Sequence, residues 1–315
     1  MPAAMKLGWI GIGRMGYAMA ERLAKSGADL TVWNRTRAKA EPLAAAGAKI
    51  AKGLTDLAAC DIVFVMVSTW DDVREVIAGP GGLLSGSQAP RLVVECSSIS
   101  LEGSAELRAL LAARGVDMLA APVSGNAKVI KAGRLSFVCS GPKSAFDAAL
   151  PSLRMIAPSA SYVGEGELAR IVKICHNVFL GVVIQSLAEI TVLAQKAGVP
   201  RHAFLEFMNQ SVMGSTFSRY KTPALVNLDF KVTFTPKLLR KDLDLGLEAA
   251  RRFEVPMPLA ALTRDVVQSL IGHGLDDEDF AKLIVLQAAA SGLQLLPENV
   301  AIDDGLNAAP QRETT

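Results

Sequence analysis

Two groups of residues in this chain could do chemistry. The first is Gly11-Ile12-Gly13-Arg14-Met15-Gly16, a G-x-G-x-x-G pattern set between an apolar run, Leu7–Ile10, and a helical pattern, Met15–Lys25. In that setting Gly11 allows a tight turn and Gly13 lets backbone approach a pyrophosphate. Gly16 lets helix and strand pack closely, and the helix opening at Arg14 and Met15 points its N-terminus at phosphate. The second group is Lys173 and Asn177, four residues apart and therefore on one face of a helix. Removing hydride from an alcohol requires a base for the hydroxyl proton, and a lysine with a destabilised ammonium can serve. Taken by itself, Lys173 fits a solvated surface lysine at least as well.

A second strand-like run, Leu30–Trp33, leads into Asn34-Arg35-Thr36-Arg37. An NAD site places an acid at such a strand end to hold the ribose hydroxyls. Here Asn34 takes that place, and Arg35 is suited to pair with a 2′-phosphate. We therefore expect NADP(H) to be preferred, with NAD(H) possible, and Asn34, Arg35 and Thr36 to line the discriminating end.

These residues need a scaffold, and the first half of the chain supplies one. Further apolar runs of strand length follow at Ile62–Val67, Leu92–Glu95 and Val116–Leu119, with helical patterns such as Leu101–Arg114 between them. Such alternation predicts a mostly parallel sheet flanked by helices. Leu135–Cys139 and Ser161–Val163 are expected to extend it. After Gly164 strand signals largely stop. A long helix is expected over Glu167–Lys196, ended by Gly198-Val199-Pro200, with further helices at Arg201–Asn209, Pro236–Phe253, Pro258–His273 and Asp277–Leu293. The expected class is α/β: a Rossmann-type doubly wound sheet followed by an all-α C-terminal domain. The expected parts are a dinucleotide-binding domain at 1–164, a helical substrate and oligomerisation domain at 165–297, and a flexible tail at 298–315. The long helix starts where the two domains should meet, a common place for a ligand cleft.

Composition narrows the partners. The chain has 315 residues, half of them hydrophobic, and a formal charge of +2. A length of this order suits two domains. No basic run suggests nucleic acid. The uncharged stretch Ile174–Ala188 is too short to span a bilayer. Cys60, Cys96, Cys139 and Cys175 lie far apart without metal-ligand spacing and read as buried free thiols, so no metal is expected. The expected location is cytoplasmic.

Gly8–Leu23, Ala121-Pro122-Val123-Ser124-Gly125, the pair Lys173 and Asn177, and Lys241-Asp242-Leu243 together resemble the β-hydroxyacid dehydrogenase family. That family includes 3-hydroxyisobutyrate dehydrogenases and tartronate semialdehyde reductases. Order and spacing agree from about Lys6 to Leu293. The resemblance implies that Lys173 is the general acid/base and that Asn177 orients the substrate. It implies that Ser124 and Gly125 bind the substrate carboxylate. Met66, Val67 and Ser68 lie along the cofactor, Ser98 sits near the nicotinamide, and Lys241 closes on the cofactor from the helical domain. The implied ligand is a small anion, and the long apolar helices of the all-α domain, with faces that one sheet edge cannot cover, lead us to expect a homodimer or homotetramer.

Three positions depart from the family pattern: Ala120 replaces an acid, Asn126 a glycine and His176 an asparagine. Asn tolerates positive φ, so the loop is expected to keep its shape, with the Asn126 amide facing substrate. His176 reads first as a structural residue. Trp70, Lys128, Lys131 and Arg134 could form an anion-attracting mouth or be solvated loop residues. The run Asp276–Asp279 reads as a helix start rather than a metal site. Two other functions use the same framework. Imine reductases share this style of cofactor half but usually lack the lysine, and a non-catalytic cofactor-sensing protein would need neither Lys173 nor Asn177.

Overall fold

The computed structural model describes residues 5–306. Its packing divides the chain into two units, 1–173 and 174–315.

In the first unit, continuous apolar runs bury both faces of the innermost strands, whereas Asp29–Trp33 alternates buried with half-buried residues. The strands β1 (Lys6–Ile10), β2 (Asp29–Trp33), β3 (Lys49–Ile50), β4 (Ile62–Val65), β5 (Leu92–Glu95) and β6 (Asp117–Ala120) form one sheet in the order β3-β2-β1-β4-β5-β6. All its pairings are parallel. Trp9, Phe64 and Val94 point to one face, where they meet apolar residues of α1 (Arg14–Lys25), among them Met19 and Leu23. Ile10, Val63, Val65 and Val93 point to the other face, against α2 (Trp70–Ala78) and α3 (Leu101–Ala112). A sheet so covered needs apolar runs rather than a polar face, which is why its strands are visible in sequence except the two-residue β3. The order reverses between β1 and β4, which makes the C-terminal ends of these strands the topological switch point where such sheets take ligands.

The strands expected to extend this sheet form a second one instead. β7 (Val123–Ser124) runs antiparallel to β8 (Ser136–Cys139), and β9 (Ser159–Tyr162) pairs parallel with β8. A single bridge, Ala120 to Ser140, links the two sheets. Between these strands lie α4 (Ala127–Lys131) and α5 (Lys143–Ile156), whose buried face joins the α1 side of the core.

A 29-residue helix, α6 (Leu168–Lys196), crosses from one unit to the other. The expected boundary lay ahead of this helix. Packing puts it inside, after Lys173, and Ala169 and Arg170 are buried. By length and composition α6 could cross a membrane, being longer than its uncharged stretch, but half of its most apolar window is buried inside the protein.

The second unit adds α7 (Arg201–Gln210), α8 (Thr216–Asn227), α9 (Pro236–Arg252), α10 (Pro258–Gly272) and α11 (Leu283–Ala290). Helices α2, α4, α5 and α8 had no sequence assignment. Pro151 and Pro223 lie inside α5 and α8, where proline ordinarily marks a break. The helix expected over Asp277–Leu293 is a 3-10 turn at Phe280–Lys282 followed by α11. The tail expected from 298 has fixed partners in its described part. Glu298 accepts backbone N–H groups from Arg201 and His202 at 2.7 and 2.9 Å, and Asn227 exchanges two hydrogen bonds with the Val300 backbone. Residues 307–315 of that tail lie outside the described residues.

Candidate functional site

The glycine turn is built by close approach. Gly11 has φ +97°, and a Cβ there would run into the Met66 carbonyl. A Cβ on Gly16 would run into the Gly11 carbonyl oxygen, which also accepts the indole N–H of buried Trp9 at 3.0 Å. Gly13 differs: a Cβ there would meet nothing within 4 Å. The first two glycines are thus demanded by the turn itself, whereas Gly13 keeps an open surface over the start of α1. That helix has no side-chain cap and no acid in its first turn. Its first backbone N–H groups and helix dipole suit an anion. The site fits a dinucleotide pyrophosphate.

Asn34 closes this turn from β2. Its Oδ1 accepts the Ile12 N–H at 2.8 Å, and its Nδ2 donates to the Thr36 carbonyl at 2.9 Å. Arg35 is exposed at the same strand end and reaches Asp72 and Glu75 of α2. Across the switch point, the Met66 N–H bonds the Ile10 carbonyl at 2.9 Å, and the Val67 N–H donates to Ser97 Oγ at 3.0 Å. Ser68 follows in the same loop, just ahead of α2, and Ser98 follows Ser97 after β5. Gly11, Gly13, Asn34, Met66 and Ser98 therefore stand on loops at the C-terminal ends of four parallel strands.

A buried charge network fastens one of those loops to α6. Arg170 pairs with Glu95 at the end of β5, and both side chains are almost fully buried. Arg170 also donates to the Ser97 carbonyl at 2.6 Å and to Ser104 Oγ at 3.1 Å. Glu95 accepts the Ser97 N–H at 2.7 Å. Glu167 bonds Ser104 and takes Arg108 Nε at 2.8 Å. A buried charge is tolerated only when paired and hydrogen-bonded, and here each is. Lys173 lies three residues beyond Arg170, almost one helical turn on, and is half-buried.

Further along α6, Asn177 is buried and donates from Nδ2 to Asp242 Oδ2 at 2.6 Å. Small residues make this possible. A Cβ on Gly246 of α9 would strike Val178, and one on Gly181 would stand 3.2 Å from Leu239 and Leu243. The two helices thus cross closely enough for a short asparagine to reach a carboxylate on the next helix. His176 Nδ1 lies 3.0 Å from Asn177 Oδ1, and the Lys241 ammonium lies 3.4 Å from Asp242 Oδ1. Asp242 therefore joins Lys241 and Asn177 into one cluster.

Ser124 is the last residue of β7, opposite Ser136. Gly125 has φ +137°, and its Cβ would come within 2.8 Å of Val129. Asn126 corrects an expectation. Its φ is −124°, not positive, and its Oδ1 accepts the Lys128 and Val129 N–H groups as the N-cap of α4. The positive φ belongs to Gly125, and the Asn126 oxygen faces the helix. Ala120 is fully buried, so an acid at that position would lie in the core. Trp70 opens α2 and packs over Gly103 of α3, whereas Lys128 and Lys131 are exposed on α4.

Three thiols are buried as expected. Burial pushes Cys60 up to about 11 and Cys139 up to about 12, and holds Cys96, beside Glu95, well above the usual thiol range. Cys175 is exposed, contrary to expectation, because it faces away from the packed side of α6. Asp279 caps the 3-10 turn and pairs with buried Lys221 at 2.6 Å, a structural role. No His, Cys, Asp and Glu cluster suited to a metal occurs among the described residues.

Sequence reasoning gave no role to Glu95, Arg170 or Asp242, although Asp242 stands in the Lys241-Asp242-Leu243 motif. The signal available was a charge inside an apolar context, Val-Val-Glu-Cys and Leu-Ala-Arg-Ile-Val.

Comparison with known proteins adds to this geometry. Residues 6–164 match the family model described as the NAD binding domain of 6-phosphogluconate dehydrogenase. Residues 167–287 match the model described as NAD-binding of NADP-dependent 3-hydroxyisobutyrate dehydrogenase. The chain is 31% identical over 289 residues to glyoxylate/succinic semialdehyde reductase 2 of Arabidopsis thaliana, covering 91% of this chain and 81% of that protein. The crystal structure of a 3-hydroxyisobutyrate dehydrogenase from Salmonella typhimurium aligns with a TM-score of 0.80 at 26% identity, covering 90% of this chain and 99% of that one. An imine reductase from Myxococcus stipitatus, solved with NADP+, aligns at 0.56 with 24% identity over 88% of this chain and 98% of that one, a likeness of fold alone.

Proposed function

Because this chain belongs to the β-hydroxyacid dehydrogenase family, and is on that ground an NAD(P)-dependent oxidoreductase, we propose that it interconverts a small β-hydroxyacid and its aldehyde or keto acid, preferring NADP(H). A bound nicotinamide would supply or accept the hydride. Lys173 handles the proton. In reduction its ammonium protonates the forming alkoxide, and in oxidation its neutral amine takes the hydroxyl proton. Asn177, held by Asp242, orients the substrate, and Ser124 with Gly125 receives the carboxylate. The observation that carries this reading is the Glu95–Arg170–Ser97 network. It ties the helix bearing Lys173 to the strand-end loop bearing Ser98, within one unit of the chain. General acid/base catalysis needs this kind of fixed placement.

The substrate class draws support from Arabidopsis reductase 2, whose name gives glyoxylate and succinic semialdehyde. The cofactor preference rests on Asn34 and Arg35, and Gly11, Gly13, Arg14, Met15, Gly16, Thr36, Met66, Val67, Ser68, Ser98 and Lys241 complete the proposed cofactor set. The proposed partner is a small anion in the cytoplasm, and neither nucleic acid nor a bilayer enters this reading. A homodimer or homotetramer would cover exposed apolar residues such as Phe179, Leu193, Leu259 and Leu262.

A substrate screen tests the proposal. NADPH oxidation is followed with small aldehyde acids, their amides and cyclic imines. Aldehyde acids should be turned over fastest and their amides poorly, since a site built for an anion leaves its donors unpaired otherwise. Faster reduction of cyclic imines would replace this reading with an imine reductase. No turnover of any of them, with NADPH still bound, would favour a cofactor-sensing protein.

A further inference from the structure

Arg35, on which the 2′-phosphate reading rests, already has anionic company. Its Nη1 stands 3.5 Å from Asp72 Oδ1 and 3.7 Å from Glu75 Oε2. The two acids are three residues apart near the start of α2, so they share a face. Asp72 has a second task there. Its Oδ2 accepts the Thr69 N–H and hydroxyl at 3.1 and 2.8 Å, completing a capping box, and this fixes the direction of its other oxygen. The Glu75 side chain is 63% exposed and that of Arg35 is 74% exposed. The next cation along, Arg37, pairs with Glu41 at 3.5 Å and donates to the Ala51 carbonyl at 3.1 Å.

We propose that Asp72 and Glu75 set the margin by which NADPH is preferred, by competing with the cofactor 2′-phosphate for Arg35. This proposal rests on the reading of Arg35 as the phosphate partner. A 2′-phosphate dianion must take the guanidinium from two carboxylates and then stand beside their charge. The 2′-hydroxyl of NADH meets neither cost. The acids therefore act against the larger cofactor charge while leaving the rest of the site unchanged, which narrows the discrimination from the unfavourable side. Exposed ion pairs of this kind are worth a factor of about 1.5 to 5 each, so the expected outcome is a modest preference that one substitution widens.

The experiment measures dissociation constants of NADPH, NADH and adenosine 2′,5′-bisphosphate on the full chain by calorimetry at low salt. The variants are Glu75→Gln, Arg35→Gln and the double variant. Glu75→Gln is chosen over Asp72→Asn because it leaves the Thr69 cap intact. It should tighten NADPH and the bisphosphate by about 1.5- to 5-fold, leave NADH unchanged, and lose this gain as salt is raised. The gain should vanish in the Arg35→Gln background. If Glu75→Gln leaves NADPH binding unchanged or weaker while Arg35→Gln weakens it, the competition is wrong and the cofactor reading stands. An equal gain with and without Arg35 also overturns the competition, because the carboxylate then acts on the phosphate directly. If Arg35→Gln leaves NADPH binding untouched, the cofactor reading itself fails, and the proposal with it.

Discussion

The glycine turn after β1 and the crossing of α6 with α9 are built by opposite means. At the turn, the groups proposed to bind are backbone N–H groups, and the side chains matter by being absent. Gly11 and Gly16 are forced by carbonyls that leave no room for a Cβ. At the crossing, glycines again allow close approach, but only so that a side-chain amide can reach a carboxylate 65 residues away in sequence. The first arrangement is contained in six consecutive residues. The second exists only after helices have packed. A backbone site should therefore fail completely when atoms are added, whereas a side-chain site should fail by degrees as partners are removed.

The largest effect is expected at the turn. Gly16→Val puts three carbons where the Gly11 carbonyl stands, so the chain must either lose the turn or displace α1. NADPH binding should disappear at any concentration that binds wild type, as read by calorimetry, with the far-UV spectrum retained in the remaining helices. Wild-type affinity in this variant would mean that the turn does not cradle the cofactor.

Lys173→Met comes next. It keeps the side chain's length and removes its amine. General acid/base catalysis is typically worth about 10² to 10⁴ in rate, so kcat should fall by about that much while the NADPH dissociation constant stays that of wild type. Equal loss of binding and rate would merge the two regions into one.

Arg170→Met leaves Glu95 buried without its partner. Breaking such a pair costs about 3–5 kcal/mol, and urea denaturation should show it as a lower midpoint. Glu95→Gln combined with Arg170→Met should recover part of that loss, since no uncompensated charge then remains. A single variant as stable as wild type would show that the pair does not hold α6 to the β5 loop.

A smaller effect is expected from Asp242→Asn. It keeps the shape and weakens a charge-assisted bond to Asn177, worth roughly 1.5–3 kcal/mol at most. KM should rise and kcat fall together by about tenfold, with NADPH binding unchanged. A change confined to stability would reduce Asp242 to packing.

The same contrast explains how much could be read from sequence. The G-x-G-x-x-G turn, Asn34 and the parallel strands are local: their residue types and spacing hold the whole argument. Lys173 and Asn177 were reached through helical spacing and resemblance, yet Asp242 and Arg170 were not. Their roles depend on partners at Asn177 and Glu95 that only tertiary structure brings near. Asn126 shows the reverse error. Its tolerance of positive φ was a sound general property applied to the wrong position, because Gly125 takes the positive φ and Asn126 caps α4. Helices α5 and α8 were hidden because each carries an internal proline that tertiary packing tolerates.

The central claim is that Lys173 transfers the proton that accompanies hydride transfer. The most direct test is the pH dependence of the hydride-transfer step, measured in single turnovers with saturating NADPH and the best aldehyde acid, for wild type and Lys173→Met side by side. The account predicts that the wild-type rate titrates with pH because one protonation state of the lysine is competent, and that the variant, though slow, is flat across the same range. The same titration in both proteins would contradict it, since the proton would then come from another group.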